Sequence, residues 1–91
     1  MGCACAQIVR SLAGHDRGGL FCVLDTDGPY LLLCDGKRRK LENPKRKKAV
    51  HTAAGDFQHP VLDQLRTGGN LSNRDIRRAL AAFRAEELRR V

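Results

Sequence analysis

Aromatic side chains are scarce in this chain, which holds no Trp, one Tyr and three Phe among its 91 residues. A core built with so few aromatics has to be aliphatic, and in a chain of this length it is small. Proteins that bind single-stranded nucleic acid stack successive bases on aromatic side chains. The composition therefore argues against that mode of binding.

Long apolar runs are absent as well. No stretch approaches the roughly 18 residues that a membrane span requires. The first ten residues, MGCACAQIVR, lack the basic start and the long apolar core of a signal peptide. We therefore expect a cytoplasmic protein that has no membrane partner.

Motifs for catalysis and for nucleotide binding are missing too, since the chain has neither a P-loop nor a dinucleotide fingerprint. His15 next to Asp16 has the composition of an acid–base pair, but no nucleophile accompanies it in the local sequence. A polar loop is the simpler interpretation. We expect no enzymatic activity, no catalytic residue and no small-molecule substrate.

The four cysteines do not follow a metal-binding pattern. Cys3 and Cys5 lack the C-x-x-C spacing of a zinc ribbon, and the three histidines are scattered. Cys22 and Cys34 stand inside apolar runs, where thiols act as small hydrophobic side chains. We expect free thiols, and neither a metal nor another cofactor.

Positive charge, in contrast, is abundant and concentrated. The segment Lys37–Lys48, KRRKLENPKRKK, holds eight cations against Glu42 alone, which accounts for the whole net charge of +7. Concentrating like charges costs self-repulsion, which a polyanion would relieve. The segment therefore predicts a surface that binds the phosphates of a nucleic acid.

The first half of the chain alternates apolar runs with turns. We predict four strands and a short fifth: Ile8–Ser11, Leu20–Asp25, Tyr30–Asp35, Lys37–Leu41 and Ala49–Thr52. An antiparallel meander with such tight connections closes most economically into a small barrel. If Leu41 points inward on the fourth strand, alternation turns Arg38 and Lys40 outward.

The C-terminal part predicts a helix from Asn73 to about Leu88. Ser72 and Asp75 fit a capping box. An apolar stripe follows at helical spacing, formed by Ile76, Ala79, Leu80 and Phe83. This narrow stripe has to pack on the barrel or on a partner. The chain thus divides into a barrel over residues 1–52, an irregular connector over 53–70 and a helical region over 71–91.

The segment Gly14–Gly19 contains three glycines in six positions. Such a backbone bends sharply and approaches a ligand closely. Arg17 and the amides of the loop are suited to phosphate oxygens. An ordinary hairpin loop explains the same residues equally well.

Several blocks of the chain resemble KOW-type RNA-binding domains, in particular the small bacterial KOW-domain proteins related to eukaryotic-type large-subunit ribosomal proteins. The blocks are Val9, Gly14-x-Asp16-Arg17-Gly18, Val23, the segment Cys34–Lys45 (CDGKRRKLENPK) and the tail Leu71–Leu80. The resemblance implies an SH3-like barrel that binds structured RNA, usually ribosomal RNA. Gly18 matches a glycine in the family's RNA-facing loop. The leader with Cys3 and Cys5 and the segment 53–70 depart from the family pattern.

We therefore expect a mainly β fold, an SH3-like (KOW) barrel with a C-terminal helix. The expected partner is RNA, and the expected larger assembly is the large ribosomal subunit. Phosphate contacts and shape would dominate recognition. The candidate RNA-binding residues are His15, Arg17, Gly18, Lys37, Arg38, Arg39, Lys40, Lys45, Arg46, Lys47 and Lys48. Two alternatives stay open: a protein-interaction module of the transcription-elongation type, whose helix docks on a partner, and DNA binding by the same cations.

Overall fold

The computed structural model describes residues 6–55 and 57–89, so that Cys3 and Cys5 lie outside the described residues. Its elements are β1 Ile8–Ser11, β2 Leu20–Asp27, β3 Tyr30–Cys34, β4 Lys45–Lys48, β5 Thr52–Ala54, α1 Pro60–Arg66 and α2 Asn73–Arg89. A 3-10 turn over Ala49–His51 joins β4 to β5. Neither helix in these ranges combines the length and the apolar character that crossing a bilayer requires.

The five strands form one antiparallel sheet in the order β4-β3-β2-β1-β5. β4 and β5 lie at opposite edges, although only the 3-10 turn separates them in sequence. In a flat five-stranded sheet the two edge strands would lie about 19 Å apart. The 3-10 turn from the end of β4 to the start of β5 spans only about 8 Å. The sheet is therefore strongly coiled. It stays open, because β4 and β5 share no ladder among the described residues.

Side-chain alternation along the strands buries both faces of this sheet. Cluster 1 lies between the sheet and the helices and contains Ile8, Leu20, Cys22, Cys34, Val61, Leu62, Ile76, Ala79 and Leu80. Cluster 2, on the opposite face, contains Val9, Phe21, Val23, Leu31 and Leu33, with Ala49 of the 3-10 turn packed against it. Burial of both faces explains why β3 and the first five residues of β2 are nearly continuous apolar runs.

The predicted antiparallel sheet is confirmed, but its predicted fourth strand over Lys37–Leu41 is wrong. The carboxylate of Asp35 accepts the backbone N–H groups of Lys37 and Arg39 at 2.9 and 2.8 Å. Gly36 adopts a positive φ of 74°. These contacts fold the segment into a turn and occupy N–H groups that a strand would offer to its neighbour. The fourth strand begins at Lys45, eight residues later than predicted, as β4.

The segment after β4 also differs from the prediction. The expected strand over Ala49–Thr52 is a 3-10 turn for three residues, and β5 begins at Thr52. The hydroxyl of Thr52 donates to the carbonyl of Ala49 at 2.8 Å and closes the turn. Because all four neighbouring pairs are antiparallel, β4 and β5 run in the same direction, and the turn carries the chain from one edge of the sheet to the other without reversing it.

The connector predicted to be irregular over residues 53–70 contains α1. Pro60 occupies its first turn, where the missing N–H is not needed. The ring of His59 caps the helix by accepting the N–H of Val61 at 3.2 Å. Val61 and Leu62 are buried in cluster 1. With only seven residues, α1 is too short for its two buried positions to give a periodic signal.

The predicted C-terminal helix is confirmed as α2, with its capping box. The hydroxyl of Ser72 accepts the N–H of Asp75 at 3.3 Å, and the Asp75 carboxylate accepts the N–H of Ser72 at 3.0 Å. The bond from the backbone N–H of Ser72, together with a bond that the Ser72 hydroxyl donates to the same carboxylate, lowers the pKa of Asp75. Ile76, Ala79 and Leu80 are fully buried. The stripe therefore packs on the sheet and on α1 of its own chain.

Replacing Leu80 by Ala tests whether α2 is part of the folding unit. Leu80 is 2% exposed, so we expect Leu80→Ala to lower the free energy of unfolding by about 2–5 kcal/mol. Leu88→Ala is the matched control, because Leu88 lies on the same helix and is 76% exposed. Denaturant titration measures both variants. Equal stabilities of the two would contradict the packing described for α2.

The thiols of Cys22 and Cys34 are a second test of the core. The two residues are directly paired across β2 and β3 and are fully buried. Burial raises the pKa of each thiol to about 12, and for Cys34 the neighbouring Cys22 adds to the shift.

Thiolate is the reactive form of cysteine. We therefore expect both thiols to resist iodoacetamide at pH 8 in a Cys3→Ser, Cys5→Ser background and to react once denaturant is added. Mass spectrometry of the alkylated peptides checks this result. Rapid labelling of the native protein would refute the buried arrangement.

Candidate nucleic-acid interface

The loop between β1 and β2, residues 12–19, is called the glycine loop below. Its base is closed by a bond from the N–H of Gly18 to the carbonyl of Ser11 at 2.8 Å. Gly18 has a φ of 86°, which side-chain-bearing residues rarely adopt. His15 and Arg17 are exposed on the loop. The glycine thus shapes a loop in which the side chains of His15 and Arg17 stay in solvent.

The loop between β3 and β4, residues 35–44, is called the basic loop. It consists of two successive turns, the first closed by the Asp35 carboxylate and the second by the N–H of Asn43 on the carbonyl of Lys40 at 2.9 Å. Arg38 and Lys40 are exposed, as expected. Lys37 is exposed too, although a strand would turn it to the same side as Leu41, because the segment turns.

Helix α2 fixes the position of the basic loop. The side chain of Asn73 accepts the N–H of Leu41 and donates to the carboxylate of Glu42, both at 2.8 Å. The guanidinium of Arg77 donates to the carbonyl of Gly36 at 2.6 Å. A Cβ atom on Gly36 would overlap the carbonyl oxygen of Asn73. The loop backbone therefore lies directly against the first turns of α2.

Arg10 of β1 connects the glycine loop to the other end of α2. Its guanidinium donates to the carbonyl of Gly18 at 2.9 Å and to both carboxylate oxygens of Glu87 at 2.7 Å. The ion pair is partly exposed, so its energy is small. Its bidentate geometry nevertheless sets the direction in which the loop meets the helix.

Two cations of β4 are engaged in holding the coiled sheet together. Lys45 forms an ion pair with Asp16 of the glycine loop, and Lys47 donates to the carbonyl of Ala13 at 2.8 Å. Both lysines are half-buried. Their side chains join the edge strand β4 to the loop beside β1, across the opening that the strands leave.

The other two cations of β4 face away from that contact. The guanidinium of Arg46 lies 3.9 Å from the centroid of the Tyr30 ring and 3.3 Å from the Asp27 carboxylate. Lys48 is exposed, and its side chain has no hydrogen-bond or ion-pair partner among the described residues. Of the four, Lys48 alone is thus unengaged within residues 6–55 and 57–89.

The glycine loop and the basic loop meet around a shallow hollow of about 220 Å³, called the arginine depression. His15 and Arg17 line it from one loop, Arg38 and Arg39 from the other, and Arg84 lines it from α2. None of these four guanidinium groups has a hydrogen-bond or ion-pair partner in the described part of the chain.

Two carboxylates also line the arginine depression, and both are engaged inside the protein. Asp16 is paired with Lys45, and Asp35 accepts N–H groups of its own loop. Four arginines therefore line one concave surface on which only one carboxylate, that of Asp35, has no cation paired to it. Like charges so close repel one another, and an anion placed among them would relieve that repulsion.

A second depression, of about 410 Å³, adjoins the first. Asp35 and Arg84 line both, while Lys37, Arg77 and Leu80 line only the second. Because the two hollows share a wall, the positive surface is continuous past Arg84. Arg84 is exposed and stands where the two hollows meet.

The structure thus brings together part of the predicted site. His15, Arg17, Arg38 and Arg39 converge, whereas the cations of β4 lie apart and three of them are engaged within the protein. Arg84 was not among the candidates. Its seven-residue spacing from Arg77 puts both on one side of a helix, but only the fold shows that this side borders the basic loop.

The four aromatic side chains are all occupied. Phe21 is buried in cluster 2, and the Arg46 guanidinium lies over the ring of Tyr30. Phe57 and Phe83 pack edge to face with ring centroids 5.2 Å apart. No Phe or Tyr ring lines the arginine depression except that of Phe21, which is 4% exposed. This surface therefore offers no Phe or Tyr platform on which bases could stack.

Ligands for a metal ion do not assemble in the described ranges. No three His, Cys, Asp or Glu side chains come together there as ligands of a metal ion do. Asp16, the neighbour of His15, is engaged with Lys45. What this surface offers is a fixed set of cations.

A comparison of two glycines tests how the basic loop is held. Left-handed backbone costs a residue with a side chain on the order of 1–3 kcal/mol, so Gly18→Ala and Gly36→Ala should both destabilise the protein. A methyl group meets nothing within 4 Å at Gly18 but overlaps the backbone of Asn73 at Gly36. We expect the larger loss of unfolding free energy for Gly36→Ala, measured by denaturant titration. Equal losses would show that the loop does not need its close approach to α2.

No protein-family model matches the chain, and no curated protein matches it.

Proposed function

We propose that this protein is a non-catalytic RNA-binding module that holds structured RNA, ribosomal RNA in the first instance, by contacts to its phosphates. The proposal rests on the arginine depression. Arg17, Arg38, Arg39 and Arg84 come from three separate elements and share one hollow without ion-pair partners among the described residues. Guanidinium groups bind phosphate oxygens in paired hydrogen bonds.

Phosphate contacts with shape readout fit the site better than base readout. The aromatic rings are occupied, so single-stranded bases would find no stacking platform. Double-stranded and folded RNA exposes phosphates and 2′-hydroxyls in a fixed geometry, which proteins recognise largely by shape. The two loops present their cations on a backbone held by hydrogen bonds, and a rigid array suits a rigid ligand.

An SH3-like barrel of the KOW type is part of the same proposal. It is supported by the strand order β4-β3-β2-β1-β5 and by the 3-10 turn that carries the chain between the two edge strands. Lys45 and Lys47 bridge the opening with their side chains. A cytoplasmic location belongs to this proposal, because ribosomal RNA resides there.

The protein-interaction alternative relied on a helix free to dock on a partner. The apolar stripe of α2 is instead buried on its own sheet by Ile76, Ala79 and Leu80. A docking role would have to use another surface, and the unpaired arginines favour a polyanion over a protein partner.

Salt dependence of RNA binding tests the proposal. Six candidate cations lack an intramolecular side-chain partner within the described residues: Arg17, Lys37, Arg38, Arg39, Lys40 and Lys48. If each meets a phosphate, the logarithm of the binding constant should fall with the logarithm of the salt concentration with a slope of about −4 to −5. Titration of a large-subunit ribosomal RNA fragment measures this slope, and a flat dependence would refute phosphate binding.

Two triple variants locate the binding surface at equal net charge. Arg17, Arg38 and Arg39 changed to Gln should reduce the slope by about 2–3. Arg66, Arg74 and Arg89 changed to Gln should leave it intact, because these exposed residues line neither hollow. Equal effects of the two triples would mean that net charge alone drives binding.

Two further measurements separate the remaining alternatives. Equal affinity for duplex DNA of the same sequence would favour the DNA-binding hypothesis. Sedimentation of the endogenous protein through a sucrose gradient should place it with large ribosomal subunits. A salt-resistant protein partner, with binding indifferent to both triples, would favour the protein-interaction hypothesis.

A further inference from the structure

Helix α2 takes a place in the candidate site that its sequence pattern does not predict. Its apolar stripe packs on the sheet, and its N-terminal turns hold the basic loop. Both roles are structural. Arg84 takes part in neither role. Its side chain is exposed, lines both hollows and has no intramolecular partner among the described residues.

We infer that Arg84 binds a phosphate group jointly with Arg17 and Arg38, so that the arginine depression is one discrete phosphate site with α2 as its third wall. This inference deepens the proposed function and rests on it. The ligand is a phosphate of the bound RNA, either an internal phosphodiester or a terminal phosphate, since the same guanidinium chemistry serves both.

The first argument for this site is charge. The packing of α2 places Arg84 on the same hollow as Arg17 and Arg38, and of the two carboxylates that line this hollow only that of Asp35 has no cation paired to it. Ile76, Ala79 and Leu80 fix the helix and therefore fix this repulsion in the folded state. An anion at the centre would turn repulsion into attraction on all three sides.

The second argument is the attachment of both loops to the same helix. Asn73 and Arg77 hold the basic loop at one end of α2, and Arg10 ties the glycine loop to Glu87 at the other. Arg84 lies between these attachments along the helix. The three walls of the depression are thus held in register before any ligand arrives, which lowers the entropic cost of binding.

The test compares Arg84→Gln with Arg78→Gln on the same helix. Arg78 is exposed, carries the same charge and lies about 120° around the helix from Arg84, and it lines neither hollow. Arg84→Gln should reduce the salt slope of binding to the ribosomal RNA fragment by about 0.7–0.9, the share of one phosphate contact. Arg78→Gln should leave the slope unchanged.

Inorganic phosphate gives a readout that does not depend on RNA. At matched ionic strength, phosphate should raise the melting temperature of the wild-type protein more than chloride does, because a ligand of the folded state stabilises it. Arg84→Gln should lose this extra stabilisation and Arg78→Gln should keep it. Equal behaviour of the two variants in both assays would overturn the inference.

The outcomes separate this inference from the proposed function. If Arg84→Gln behaves as Arg78→Gln while the Arg17, Arg38 and Arg39 triple loses RNA binding, the inference fails and the proposed function stands. If the triple also binds RNA normally, both fail. When Arg84→Gln does lose its contact, an RNA with a 5′-phosphate and the same RNA with a 5′-hydroxyl identify the source. Tighter binding of the phosphorylated form assigns a terminal phosphate, and equal binding assigns an internal one; either supports the site.

Discussion

Burial of the apolar stripe of α2 against the sheet is the interaction on which the candidate site depends. Each fully buried aliphatic side chain contributes about 1.5–3 kcal/mol, and Ile76 and Leu80 are both buried in cluster 1. The Arg10–Glu87 ion pair at the helix end is partly exposed, and such pairs contribute about 0.2–1 kcal/mol. Packing therefore decides where the helix lies, and the polar contacts only set how each loop meets it.

The concentrated positive charge of residues 37–48 serves two different purposes in the fold. Lys45 and Lys47 point toward the glycine loop, where Lys45 pairs with the Asp16 carboxylate and Lys47 donates to the Ala13 carbonyl. The cations of the basic loop are left without such partners among the described residues. A run of like charges is thus divided by backbone geometry, because alternate residues of a strand face opposite sides while the exposed side chains of a turn fan outward.

Most features encoded by neighbouring residues could be predicted from the sequence, the turn at Asp35 being an exception, and features that depend on distant contacts could not. The strand Ile8–Ser11 and helix α2 with its capping box follow from apolar spacing and from Ser72 with Asp75. The turn at Asp35 overrides the apparent strand after it through two local hydrogen bonds. The place of Arg84 beside the basic loop requires the docked helix, which no local pattern contains.

The choice of nucleic acid in the proposed function depends on how firmly the protein backbone holds these cations in place. A disordered basic tail adapts to any polyanion and loses conformational entropy when it binds. Here Asp35, Asn73 and Gly36 fix the backbone of the basic loop, and the bond between Ser11 and Gly18 closes the glycine loop. The relative positions of the two loop backbones that carry these cations are then set by the fold and not by the ligand. A fixed spacing rewards RNA whose phosphates already stand at matching distances and penalises a flexible strand that has to be ordered first. In the proposed function, selectivity for folded RNA follows from this rigidity of the two loop backbones that carry the unpaired arginines.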